Sequence, residues 1–202
     1  MTQKFMQTVL TSDVQRAQDT YFGRHQTVVA GKELDSLTSD EIAFIAARDS
    51  FYMATVNSDG WPYIQHRGGP AGFLKVLDPQ TLGFADFKGN RQLLSTGNLV
   101  ANNRVALFLM DYPNRTRLKI LGHARVVAAN ENEELTDKLT PSINLRGKIE
   151  RLFLINMVGF DWNCPQYITP RYTEEEVREA VAPLRQRITE LEAKLDASVH
   201  AG

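Results

Sequence analysis

A single cysteine, Cys164, stands in a chain of 202 residues. An intrachain disulfide is thereby excluded, and so is a CxxC zinc site. Charge of one sign is lacking too: 23 basic side chains face 24 acidic ones, for a formal net charge of −1. A general binder of nucleic acid or of an anionic membrane surface needs a basic excess, so neither partner is expected. No stretch reaches 18 consecutive apolar residues, and the opening MTQKFMQTVL does not read as a secretory signal. A cytoplasmic protein is the resulting expectation. His25 and His66 have no ligand spacing with other metal-binding residues, so no metal site is expected. Internal repeats and low-complexity tracts are also missing. What remains is ordinary for a folded chain: 43% hydrophobic and 23% charged residues, enough for one sizeable domain with a helical appendage.

Residues 12–25 (SDVQRAQDTYFGRH) carry Val14, Ala17 and Tyr21 near helical spacing and predict a short helix within an N-terminal helical arm, 1–37. Thr38 and Glu41 form a capping box that opens a helix running to about Arg48, with Leu37 able to staple onto Ile42. Strand signals follow. SFYMATV (50–56) and WPYIQH (61–66) flank the turn NSDG, and GFLKVL (72–77) and LGFAD (82–86) flank DPQT. A helix is expected over 90–102. VALFLMDY (105–112) and RLKILGHARVV (117–127) then flank Pro113-Asn114, and RLFLINMVGF (151–160) closes the series after a helix near 131–139. Six or seven strands joined mainly by hairpins predict a mainly β protein with peripheral helices, its antiparallel sheet closing on itself over 38–172. The tail, 173–202, is expected to be one long helix opened by a second capping box, Thr173 with Glu176. Val177, Val181, Leu184, Ile188, Leu191 and Leu195 alternate there at spacings of four and three, a heptad seam that Pro183 should kink or break.

Chemistry-bearing residues gather in several places. In GNRQLLSTGNLVANNR (89–104) a strand ending Phe84-Ala85-Asp86 runs through Lys88-Gly89 into the expected helix, whose first turn then holds Asn90, Arg91 and Gln92. Helix N-terminal amides attract anions, and an arginine in that turn opposes the macrodipole. A bound phosphate would relieve the conflict; a capped helix with a solvated arginine fits the same pattern. In HRGGP (66–70), Arg67 stands beside Gly68 and Gly69, which let the backbone approach a ligand or simply make a turn or bulge. Lys75, inside GFLKVL, either snorkels to water or faces an anion. On 117–127, period two places Arg117, Lys119, His123 and Arg125 on one face. A solvent-facing role suits His123 and Arg125, whereas Arg117 and Lys119, at the strand entry, are candidates to face a ligand. Trp162, in DWNCPQYITPR (161–171), can stack on a flat ring or plug the core.

Three segments in this order resemble the pyridoxamine 5′-phosphate oxidase-like, FMN-binding split-barrel family, and within it the flavin-nucleotide-binding branch. They are FYMATVNSDGWPYIQHRGGPAGFLKVLD, LGFADFKGNRQLLSTGNLVANNRVALFLMDYPNRTRLKILGHARVV and DWNCPQYITPRY, together spanning roughly residues 40–172. The resemblance implies a six-stranded antiparallel split barrel, a homodimer, FMN at the dimer interface and a small organic substrate of unknown identity. It places Arg91-Gln92 where the oxidase grips the FMN phosphate with an arginine–lysine pair, so an amide replaces one cation and Arg67 is the candidate source of the missing charge. Lys75 matches a lysine beside the flavin, Ala85 and Asp86 match a tyrosine–threonine pair, and Arg117 falls where the oxidase has a flavin-contacting glutamine. A cation there would stabilise negative charge on the reduced ring. The oxidase's RLHD-type substrate segment has no counterpart after Phe160, so pyridoxal phosphate production is not expected. The implied function is FMN-dependent oxidoreduction. A non-catalytic flavin carrier or sensor, and a split barrel using deazaflavin F420, are the alternatives.

Overall fold

The computed structural model describes residues 3–29, 34–89, 91–140, 149–162 and 165–199. It contains two compact units, one of Met1–Asp111 with Thr116–Pro165 and one of Tyr112–Arg115 with Gln166–Gly202.

The first unit is built on seven strands: β1 (Ser50–Val56), β2 (Pro62–Gly68), β3 (Lys75–Asp78), β4 (Thr81–Phe87), β5 (Arg104–Asp111), β6 (Thr116–Ala128) and β7 (Ile149–Trp162). They make one antiparallel sheet in the order β2-β1-β5-β6-β7-β4-β3. Helices α1 (Gln3–Val9), α2 (Ser12–Phe22), α3 (Ser39–Ala46), α4 (Leu94–Ala101) and α5 (Glu133–Leu139) lie at its periphery. This is the split-barrel architecture, with α6 (Glu174–Val199) as the C-terminal helix of the second unit. The strand count is seven rather than six, and among the described residues no hydrogen-bonded pairing joins the two end strands, β2 and β3. The sheet curls without sealing.

Alternation explains the curl. In β5 and β6, Val105, Leu107, Leu109, Leu118 and Ile120 point into the core, while Ala106, Phe108, Lys119 and Leu121 point outward. Phe51 of β1, Phe84 of β4 and Phe153 of β7 meet inside, with Phe84 and Phe153 stacked at 4.8 Å. Fully burying such a side chain stabilises by roughly 1.5–3 kcal/mol, so the curled sheet is held chiefly by this interior. The third strand is shorter than the expected 72–77. Gly72 adopts φ +75, where a Cβ would also press on the Ala46 carbonyl at 3.0 Å. Phe73 and Leu74 are consequently buried as core plugs instead of pairing.

The capping box at Thr38 is present: the Glu41 carboxylate accepts from the Thr38 N–H at 2.9 Å and from its hydroxyl at 2.6 Å. Helix α1 lies within the stretch 1–37 expected as a helical arm, where the sequence singles out a helix only at 12–25. Asp35 holds it by accepting the N–H groups of Lys4 and Phe5, and accepts the Phe160 N–H of β7 as well. In the second unit Thr173 and Glu176 exchange their capping hydrogen bonds, and α6 continues through Pro183 without the expected break.

Candidate functional site

Three strands distant in sequence, β2, β4 and β7, bring charged side chains together in the interior. Period two along β2 aims Tyr63, Gln65 and Arg67 inward, because their register partners on β1 include buried Thr55, Met53 and Phe51. Strand β4 aims Asp86 inward opposite Arg151 of β7. The Asp86 carboxylate therefore sits between two guanidiniums. Arg67 Nη1 donates to Oδ1 at 2.7 Å, and Arg151 Nε donates to Oδ2 at 3.1 Å. Arg151 also pairs with Glu150 at 2.9 Å. The Arg67 guanidinium lies 5.1 Å from the Phe153 ring centroid and 5.7 Å from that of Phe84. Burial lowers its affinity for the proton from the ordinary arginine value, and Asp86 acts in the opposite direction. Among the described residues its buried Nε has no hydrogen-bond partner. A buried orphan donor is costly, about 1–3 kcal/mol, and asks for an acceptor.

Beyond these strands, Arg91, Gln92, Leu93 and the start of α4 complete a cleft of about 210 Å³ lined also by Tyr63, Gln65, Ser95 and Thr96. Here the structure corrects the sequence reading. Helix α4 begins at Leu94, so Arg91 and Gln92 precede it rather than forming its first turn. Arg91 (φ 60) and Leu93 (φ 55) both take left-handed backbone conformations, which a right-handed helix cannot include. Each costs about 1–2 kcal/mol for a residue with a Cβ, and such cost concentrates at functional sites. Leu93, which precedes the first turn of α4, has no side-chain oxygen to cap it, and Leu94, Ser95 and Thr96 of that turn line the cleft. Ser95 instead donates to Gln65 at 3.1 Å, tying the helix to β2.

Of the residues singled out in the sequence, the cleft unites Arg67, Asp86, Arg91 and Gln92. Gly68 lines an adjoining hollow that shares Gln65, Arg67 and Asp86 with the cleft, and Gly69 has a packing reason to be glycine: a Cβ there would lie 2.8 Å from Phe73 Cγ. Ala85 faces the opposite side of β4, packed with Leu139, Leu152 and Leu154. Lys75 is half-buried opposite Gly83 on β3. Arg117 and Lys119 lie on the outer sheet face. Arg117 stands over Phe108, while Lys119 pairs with Asp161 at 2.6 Å beneath Phe5. Trp162 packs edge-on against Phe44 and donates to Glu41 at 2.6 Å. Asn90, named beside Arg91 in the sequence, falls outside the described residues, as does Cys164. Sequence reasoning missed Arg151, Tyr63, Gln65, Ser95 and Thr96. Only the alternation of β2 could have found Tyr63 and Gln65; nothing local marks Arg151.

The pyridoxamine 5′-phosphate oxidase family profile matches residues 38–144, which is more than half of the chain. The chain belongs to this family. The match includes β1 to β6 and therefore every cleft residue named above except Arg151. Solved structures are similar to the chain over 61–67% of its length. A candidate pyridoxamine 5′-phosphate oxidase from Lactobacillus delbrueckii is 21% identical, with a TM-score of 0.49, over 64% of this chain and 97% of that one. HupZ from group A Streptococcus is 12% identical with a TM-score of 0.48, over 67% and 100%. General stress protein 26 from Bacillus anthracis is 16% identical with a TM-score of 0.46, over 61% and 91%. No curated protein matches the chain. Among the described residues there is no group of three or more His, Cys, Asp or Glu side chains able to hold a metal, and no helix long and apolar enough to cross a membrane.

Proposed function

We propose that this oxidase-family chain binds FMN and uses it as an oxidoreductase on a small organic substrate. The observation that carries the reading is the cleft itself: Arg67 and Arg151 share the Asp86 carboxylate, Arg91 lines the same cleft, and Arg67 Nε has no acceptor among the described residues. Those residues fit a phosphate ester. Arg67 Nε and Arg91 would bind its oxygens, Gln92 and the start of α4 would add neutral donors, and Asp86 would hold Arg67 and Arg151 in position. About 210 Å³ is smaller than the roughly 300–1,000 Å³ of a site for a whole drug-sized ligand, so the cleft suits one end of a nucleotide. The bound flavin would supply hydride or electron exchange; the chain supplies position, charge and exclusion of water.

The rest of the cofactor needs a second surface, and for this we propose a homodimer. The outer face of β1, β2, β5 and β6 exposes an apolar patch, including Tyr52, Ile64, Ala106, Phe108 and Leu121, around a hollow of about 390 Å³. Arg117 stands on that same outer face, where it would serve a partner's flavin and stabilise negative charge on the reduced ring. Lys119 would have a lesser part, since Asp161 already neutralises it. Lys75, Gly68, Gly69 and, from its place in the sequence beside Arg91, Asn90 would border the cofactor, whereas Ala85, packed on the opposite side of β4, and Trp162, bonded to Glu41, would support the fold.

Titration of the purified protein with FMN tests this reading. Binding at about one per chain is expected. Arg91→Ala should weaken it by roughly tenfold or more, the loss of one charge-assisted hydrogen bond of about 1.5–3 kcal/mol. Equal affinity in the variant would remove Arg91 from the site, and absence of FMN binding in the parent would overturn the assignment.

A further inference from the structure

The second unit has an apolar stripe that no part of the barrel chemistry uses. Along α6, Val177, Val181, Leu184, Ile188, Leu191 and Leu195 recur at alternating spacings of four and three over a single 26-residue helix. Apart from half-buried Val181, these side chains are between 48% and 65% exposed. In heptad terms Val181, Ile188 and Leu195 occupy a positions, and Val177, Leu184 and Leu191 occupy d positions. β-Branched residues at a with leucine at d favour two-stranded, parallel coiled coils. Pro183 falls at a c position, away from the seam, which is consistent with a helix that runs through it.

Flanking charge chooses the partner and the direction. The g positions are Ala180, Arg187 and Lys194; the e positions are Arg178, Arg185 and Glu192. In a parallel, in-register pair each g residue faces the e residue five positions on in the other helix. That sets Arg187 against Glu192 twice, and sets no like charges together. An antiparallel pair with full overlap also gains two attractive contacts, Arg178 with Glu192. It must, however, oppose Arg185 to Arg185 and Arg187 to Arg187. Arg187 already bonds Glu190 of its own helix at 3.0 Å, and its five donors leave room for a second carboxylate.

We infer that α6 is a homotypic docking helix, zipping in parallel and in register with α6 of a second copy of this chain. About three heptads are marginal alone. The strength of the contact therefore rests on the proposed pairing of the barrels, which would raise the effective concentration of one tail for the other. The direction and register of the contact do not depend on FMN.

Cysteine cross-linking of the full chain in a Cys164→Ser background tests the inference. Under mild oxidation Val181→Cys and Leu191→Cys should each give disulfide-linked homodimers, because a–a and d–d pairs meet across a parallel seam. Adding Leu184→Asp should lower the linked fraction by about tenfold or more, since a carboxylate would be buried in the seam. Glu192→Arg should lower it as well, and the double change Arg187→Glu with Glu192→Arg should restore it. Co-expression of the Val181→Cys chain with a size-tagged Leu191→Cys chain separates the directions: mixed 181–191 links mark an antiparallel pair and overturn the inference. Lack of links at both positions also overturns it. FMN titration of the Leu184→Asp chain should match that of the parent, so failure of the zipper and failure of the cofactor assignment give different results.

Discussion

Two buried carboxylates in the barrel unit, Asp86 and Glu41, are satisfied in different ways. Glu41 is 5% exposed and receives the Thr38 N–H, the Thr38 hydroxyl and the Trp162 indole N–H, all neutral donors. Asp86 is 9% exposed and receives two guanidiniums, one of which keeps an unanswered Nε, beside two residues in left-handed conformations. The first arrangement is complete: it fastens α3 to the end of β7. The second is incomplete in the sense that matters for binding, because it holds surplus donors and backbone strain at the wall of a cleft. Structural and ligand-directed burial of charge differ in what is left over.

Removing Asp86 should have the largest effect. Asp86→Ala would leave Arg67 and Arg151 partly buried without their shared counter-charge, a loss of about 3–5 kcal/mol. For a chain of this size that corresponds to roughly 6–20 °C in melting temperature. If the site takes phosphate, millimolar inorganic phosphate or FMN should recover part of the loss in the variant and stabilise it more than the parent. A melting temperature unchanged by the substitution would show that solvent satisfies the arginines, and the contrast with Glu41 would disappear.

Glu41 should respond more mildly and only in stability. Burial by itself would raise the proton affinity of its carboxyl, but the hydrogen bonds from Thr38 and Trp162 outweigh that and hold the pKa below the model-compound value of 4.5. A folded pKa below the unfolded one stabilises fully above about pH 4.5, and the contribution fades as pH falls through the folded value. Glu41→Gln should cost about 1.5–3 kcal/mol near neutral pH. It should also flatten the acid limb of the stability–pH curve below about pH 4.5, with FMN affinity unchanged. An altered FMN affinity would join the two ends of the interior into one functional unit.

The smallest effect is expected at Leu93. Glycine accepts φ 55 without the Cβ penalty, so Leu93→Gly should change stability by less than about 1 kcal/mol, the relieved strain being offset by greater freedom in the unfolded chain. FMN binding should weaken nonetheless if the strained turn fixes Arg91. A parallel titration of the two proteins decides this.

Much of the frame was legible from short-range signals. NSDG, DPQT and Pro113-Asn114 mark the three hairpins, alternation assigns the inner and outer faces of β6, and Thr38–Glu41 and Thr173–Glu176 locate two helix starts. Arg67 and Arg91 stood out because cations beside glycine or a helix start need an explanation. Arg151 was not legible, since its value comes from a β4–β7 pairing that brings residue 86 against residue 151. The true start of α4 was hidden for the same kind of reason: left-handed conformations at Arg91 and Leu93 oppose local preference and depend on the surrounding fold. Phe5 escaped notice because its burial depends on Asp35 and Gly159, where any Cβ would come within 2.6 Å of the Phe5 nitrogen.

The strand order has a kinetic consequence. Hairpins β1–β2, β3–β4 and β5–β6 close over short loops, but β1 must then find β5, and β4 must find β7, across long stretches of chain. Loop-closure entropy is lost before such pairings return any stabilisation, so they form late and slowly. Arg67 belongs to the first hairpin, Asp86 to the second and Arg151 to the final strand. Their meeting therefore waits for the last pairings, and the arginine cleft is a marker of completed folding: a ligand held there can be retained only by chains whose entire sheet has assembled.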